Sequence, residues 1–206
     1  DFKTQCLVFE SSGHGGFISV WHDACEEISE VTLAYDAVRP ALPAATDLVE
    51  FLCEKARQFK LGSTKDSPDA IGANIEQDLL QHTVNFKERI NSNFPRTDLA
   101  MIRILSVLDP EKNRDDIEAR TEQMLTRGTS VDGTTGEKGL NGYAAWTCSG
   151  IFEFMARLAI TDRARFRELL ARHPRIHAGV RFFLDTWCLR KYYPSCGDAG
   201  AFTQPQ

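Results

Sequence analysis

Residues Ser130–Trp146 read SVDGTTGEKGLNGYAAW, and they separate two runs of helical character. Gly133, Gly136, Gly139 and Gly142 are too many to act as helix caps. Glycines this dense predict a loop whose backbone folds tightly or lies against another segment. A loop of this kind inside a compact domain is commonly functional or mobile rather than a plain connector. It carries Asp132, Glu137 and Lys138 and delivers Tyr143 onto the start of the next helix. The plainer alternative is a surface loop with three solvated charges.

Outward from this loop the pattern is helical in both directions. Upstream, Val20, Ala24, Ile28, Val31 and Tyr35 recur at three- and four-residue steps, and Pro40 and Pro43 end that run. Leu48, Phe51, Leu52, Ala56 and Phe59 predict a second helix over residues 45–60, capped by Thr46 or Asp47 and closed at Gly62. Ser67-Pro68-Asp69 is a strong start signal: a capping serine, a proline in the first turn and an acid near the positive end of the dipole. That helix reaches residue 90, and Asn91–Arg96 breaks it. Two more helices follow, through Leu105 and up to Gly128. Downstream of the glycine loop come a long apolar helix over 142–160, a short one opened by Thr161-Asp162, and a last one opened by His173-Pro174. Residues 1–16 read as a short strand or a helix tail, then a loop around His14.

About eight helices with short connections and almost no strand pattern predict an all-α domain built from antiparallel helical hairpins. No repeat period marks a known solenoid. The 206 residues carry a net charge of −5, which argues against a general nucleic-acid binder but allows a local basic groove. Nothing is long and apolar enough to cross a membrane. The six cysteines form no CxxC pair, and no tight histidine pair suggests a metal site. Cys25, Cys53, Cys148 and Cys188 fall in apolar helical stretches and read as small buried hydrophobes, while disulfides stay open. His82 reads as a satisfied core histidine, and His173 and His177 as surface. The first residue is Asp and the end reads AGAFTQPQ, so the chain is expected to be a piece of a longer protein.

Three segments in order, residues 73–105 (ANIEQDLLQHTVNFKERINSNFPRTDLAMIRIL), 131–146 (VDGTTGEKGLNGYAAW) and 190–202 (RKYYPSCGDAGAF), resemble heparinase II/III-like polysaccharide lyases. The family's aspartate-glycine, glutamate and glycine-tyrosine elements match Asp132-Gly133, Glu137 and Gly142-Tyr143. Its tyrosine-tyrosine-proline segment ending in glycine-aspartate matches Tyr192-Tyr193-Pro194 and Gly197-Asp198. The resemblance implies a single, incomplete α/α-toroid domain over residues 1–206, with a β-sandwich region missing downstream, in a secreted or periplasmic enzyme. It implies β-elimination on a uronate-containing acidic polysaccharide, without a cofactor. It places Tyr143 and Asn93 as catalytic residues, and Asp132, Glu137, Lys138, Arg96 and Tyr193 near substrate.

The chemistry requires a group that neutralises the sugar carboxylate and a group that moves the proton from the adjacent carbon to the leaving oxygen. An asparagine amide donates to a carboxylate. A phenol donates to an oxygen leaving group readily, and acts as a base only where cations depress its pKa. Phe94 follows Asn93 where the family often has histidine, so one proton-transfer group is missing from that position. Trp21-His22 suits a sugar-lined groove, and Lys87 and Arg89 add local positive charge. Two other readings stay open: a glycoside hydrolase using Asp132 and Glu137 as its carboxyl pair, and a non-catalytic carbohydrate-binding or scaffold domain.

Overall fold

The structure is a computed structural model that describes residues 18, 22–61, 65–135, 139–194 and 196. It is predominantly helical, and among the described residues there is no strand. The elements in order are α1 (His22–Val38), α2 (Thr46–Gln58), α3 (Pro68–Ile75), α4 (His82–Asn85), α5 (Arg96–Leu108), α6 (Arg114–Arg127), α7 (Ala144–Thr161), α8 (Arg163–Arg172) and α9 (Arg175–Asp185). The chain divides into two compact units, Asp1–Ile117 and Glu118–Gln206.

In the first unit α1 lies along α5. Helix α5 buries Ala100, Met101, Ile102, Ile104, Leu105 and Val107, an apolar face wide enough for a central helix. Ala24, Cys25, Ile28 and Tyr35 of α1 join Leu79, Leu80 and Ile90 around it. The buried hydroxyls in this core are satisfied locally: Thr32 donates to the carbonyl of Ile28 at 2.6 Å and Thr83 to that of Leu79 at 2.8 Å. Burial pushes the Cys25 thiol up to about 11, consistent with a small hydrophobe rather than a nucleophile.

Two expectations for this unit need revision. The run over 68–90 is not one regular helix. Ser67 caps α3 as expected, accepting from the amide of Ala70 at 3.1 Å. A π turn over Glu76–Gln81 then interrupts it, and a 3-10 turn over Lys87–Ile90 ends it. The π turn begins where Glu76 accepts from the Tyr35 hydroxyl at 2.8 Å and pairs with Arg39 at 3.2 Å. The second revision concerns α2. It has no side-chain cap, and of its apolar side only Ala56 is buried, while Leu48, Phe51 and Phe59 are exposed.

The second unit is organised on α7 and α8, which pack together. Met124, Leu125, Ala144, Cys148, Ile151, Met155, Leu169 and Ile176 are its buried hydrophobic residues. Asp162 caps α8 as expected by accepting from the amide of Arg165 at 2.9 Å. Glu118 and Glu122 of α6 hold Arg165, Arg172 and His173: Arg172 reaches Glu118 at 3.0 Å and Glu122 at 2.8 Å, and His173 Nε2 lies 2.9 Å from Glu122. His173 is therefore a structural partner of α6, not the surface residue its position before a proline suggests. Cys148 is buried, whereas Cys53 and Cys188 are only half-buried.

Candidate functional site

Helix α6 stops at Gly128, and Thr129 returns its hydroxyl to the carbonyl of Leu125 at 2.9 Å. The chain then turns sharply. The Gly133 amide donates to the Ser130 carbonyl at 2.9 Å, and the Ser130 amide donates to the Thr134 carbonyl. Gly133 sits at φ 89°, a conformation that a side chain disfavours. A Cβ on Gly133 would lie 1.9 Å from the amide nitrogen of Gly179, and a Cβ on Gly179 would lie 2.5 Å from the carbonyl oxygen of Gly133. The glycine loop thus touches α9 backbone to backbone, with glycine on both sides of the contact.

Asp132 stands exposed at the tip of this turn. Its carboxylate accepts from the backbone amide of Thr134 at 3.2 Å and from the Thr134 hydroxyl at 3.0 Å. These bonds, the backbone one first, hold its pKa below the usual carboxylate range. It is an ionised group committed to its own turn.

Past Gly139, at φ 79°, the chain enters α7 through a π turn over Gly139–Tyr143. Single π turns of this kind are frequent at functional positions. The Leu140 amide donates to the carbonyl of Cys196 at 3.0 Å, which joins the glycine loop to the tail segment. Tyr143 is half-buried, with its ring edge-on to Trp146 at 5.9 Å and 74°. Trp146, one turn further along α7, is 59% exposed. Tyr193 is half-buried in an aromatic cluster, 4.7 Å from Trp187 and 5.8 Å from Phe183.

In the first unit, Asn93 lies half-buried in the break before α5, and its carbonyl accepts from the Arg96 amide at 3.0 Å. The break is braced by Thr97, whose hydroxyl donates to the Ile90 carbonyl at 3.3 Å and accepts from the Ser92 amide at 3.0 Å. The peptide bond between Phe94 and Pro95 is cis. Arg96 is paired with Glu26 at 3.0 Å, so its guanidinium is partly neutralised. His82 is half-buried with its ring 4.6 Å from that of Phe86; burial first, and Arg89 second, lower its pKa.

The structure brings Asp132, Tyr143 and Tyr193 into one unit and joins their two segments by the Leu140–Cys196 bond. Asn93 and Arg96 belong to the other unit. Trp21, Glu137 and Lys138 lie outside the described residues, and His22 opens α1 with its side chain likewise outside them. Gly179 was missed by sequence reasoning; a glycine inside a helical pattern is its one signal, and it points to no particular partner. Among the described residues no group of three His, Cys, Asp or Glu side chains is placed to hold a metal ion. Compared with known proteins, the chain matches no family model, no curated protein and no solved structure.

Proposed function

We propose that this chain is a domain of a polysaccharide lyase that cleaves a uronate-containing acidic polysaccharide by β-elimination. The observation that carries the reading is the path of the glycine loop. It is pinned at Gly133 against Gly179, tied at Leu140 to Cys196, and enters α7 with Tyr143 beside the exposed Trp146. A phenol so placed, at the head of a packed helix and half-accessible, suits proton transfer.

In the proposed reaction a general base takes the proton from the carbon bearing the carboxylate, the electrons of that bond form a carbon–carbon double bond, and the neighbouring carbon–oxygen bond breaks with its electron pair leaving on the oxygen. Tyr143 gives a proton to the leaving oxygen, and a hydrogen-bond donor at the carboxylate stabilises the charge that builds there. Charge distribution adds support. Residues 118–206 carry twelve Lys and Arg against nine Asp and Glu, while residues 1–117 carry twelve against twenty. The positive surplus lies in the unit that holds Tyr143.

The hydrolase alternative is weaker at Asp132. A carboxyl held ionised by its own turn is poorly suited to donate a proton as general acid.

The test is to offer the full-length protein a panel of uronate polymers and follow the ultraviolet absorbance of the unsaturated product. Tyr143→Phe is expected to lower kcat by about 10²- to 10⁴-fold, the usual range for a proton-transfer group, with an unchanged melting curve. Folded protein that yields no unsaturated product on any polymer removes the lyase reading. Cleavage without a double bond moves the assignment to a hydrolase, and binding without cleavage moves it to a carbohydrate-binding domain.

A further inference from the structure

The turn after α9 has an unusual composition. Leu189 and Arg190 adopt φ values of 52° and 56°, consecutive positions in the left-handed region. Two central residues at positive φ are the signature of a type I′ hairpin turn, which favours Asn-Gly or Gly-Gly. A β-carbon disfavours this region. Burial does not offset the cost, because Leu189 is 79% exposed and Arg190 and Lys191 are exposed as well.

The turn is held from behind. The Cys188 amide donates to the Tyr192 carbonyl at 2.8 Å, and the Lys191 amide donates to the Cys188 carbonyl at 2.9 Å. Tyr193 closes the base by packing on Trp187 and Phe183. At the tip, the two cations have no ion-pair partner among the described residues. A strained turn that carries adjacent exposed cations above an aromatic cluster is arranged to meet anions.

We propose that the Leu189–Lys191 turn is a subsite for the acidic groups of a polysaccharide, with Arg190 and Lys191 as its two ligands to carboxylate or sulfate and the Leu189 side chain against the sugar ring. The proposal rests on the reading of the substrate as an acidic polysaccharide, but not on Tyr143 or on β-elimination. Arginine supplies the forked donor that matches a carboxylate or sulfate, and lysine an adjacent point charge.

The experiment measures binding of polygalacturonate, alginate and heparin oligosaccharides by calorimetry, with RNA and anionic phospholipid vesicles as further arms. Arg190→Gln/Lys191→Gln is expected to raise Kd about tenfold for the polymer that binds best, roughly what two exposed charge contacts supply. Arg163→Gln/Arg167→Gln, which removes the same charge from the exposed side of α8, is expected to leave Kd within about twofold. Leu189→Asn/Arg190→Gly, the relaxed composition for this turn, is expected to raise the melting temperature while weakening binding. It separates loss of the subsite from loss of fold. Equal binding by wild type and the Arg190/Lys191 variant overturns the subsite and leaves the lyase reading standing. Binding that the variant weakens, without any cleavage by wild type, removes the lyase reading and keeps the subsite. Absence of binding to all three saccharides, or binding to RNA or vesicles alone, overturns both.

Discussion

At the scale of single residues, the contact between Gly133 and Gly179 is the most restrictive feature of the second unit. Both a positive φ and a 1.9 Å clash forbid a side chain at Gly133. Gly133→Ala is therefore expected to destabilise the protein by about 2–4 kcal/mol. Gly72 supplies the contrast. It lies inside α3, and a Cβ there would meet the Tyr35 hydroxyl at 3.4 Å, an ordinary contact. Gly72→Ala is expected to be neutral or stabilising by about 0.5 kcal/mol, because alanine loses less backbone entropy in a helix. Denaturant unfolding of the two variants side by side checks both signs. Equal effects would mean that the loop yields easily and that the glycine pair does not pin it.

At the scale of elements, α6 and α8 are joined by charge. Glu118 accepts from Arg165 and Arg172, and its carboxyl is held below its ordinary value of 4.5, chiefly by the Arg165 hydrogen bond. A depressed folded pKa contributes stability that is full above the unfolded value and is lost as pH falls through the folded one. Glu118→Gln is expected to cost roughly 1 kcal/mol near pH 7, limited by the solvent exposure of the pair. The difference from wild type should shrink as the pH is lowered through and below the ordinary glutamate value. Melting curves across that range check it, and a difference independent of pH would make the pairing incidental. Other elements follow local rules closely. Ser67 and Asp162 cap their helices as their positions predict. The π turns do not: the one at Glu76 coincides with partners Tyr35 on α1 and Arg39 just after it, which no rule applied within residues 68–90 can supply.

At the scale of the whole molecule, net charge and local charge point in opposite directions. The chain carries −5, yet residues 118–206 carry a positive surplus. If the second unit meets the acidic polymer, its binding is driven by local cations against an unfavourable overall field. Raising salt from about 50 to 200 mM is then expected to weaken binding about tenfold, because short-range attraction and counterion release dominate. Calorimetric titration at several salt concentrations checks the direction. Binding that tightens with salt would place the polymer against the acidic unit instead.

The sequence by itself determined the all-helical character, most helix starts and stops, and the special status of the glycine loop. Those signals act within a turn or two of chain: apolar spacing, capping oxygens, and glycine and proline at the ends. It also marked Asn93 and Tyr143 through resemblance, while a sequence pattern holds no information on their surroundings. Tertiary structure decided that Gly133 meets Gly179, that His173 serves α6, that Leu48, Phe51 and Phe59 stay exposed, and that Leu189 and Arg190 bend into the left-handed region. The first three depend on a partner, or on a missing partner, far away along the chain, where local preference has no reach; the turn is closed by its own neighbours, against the local preference of its residue types.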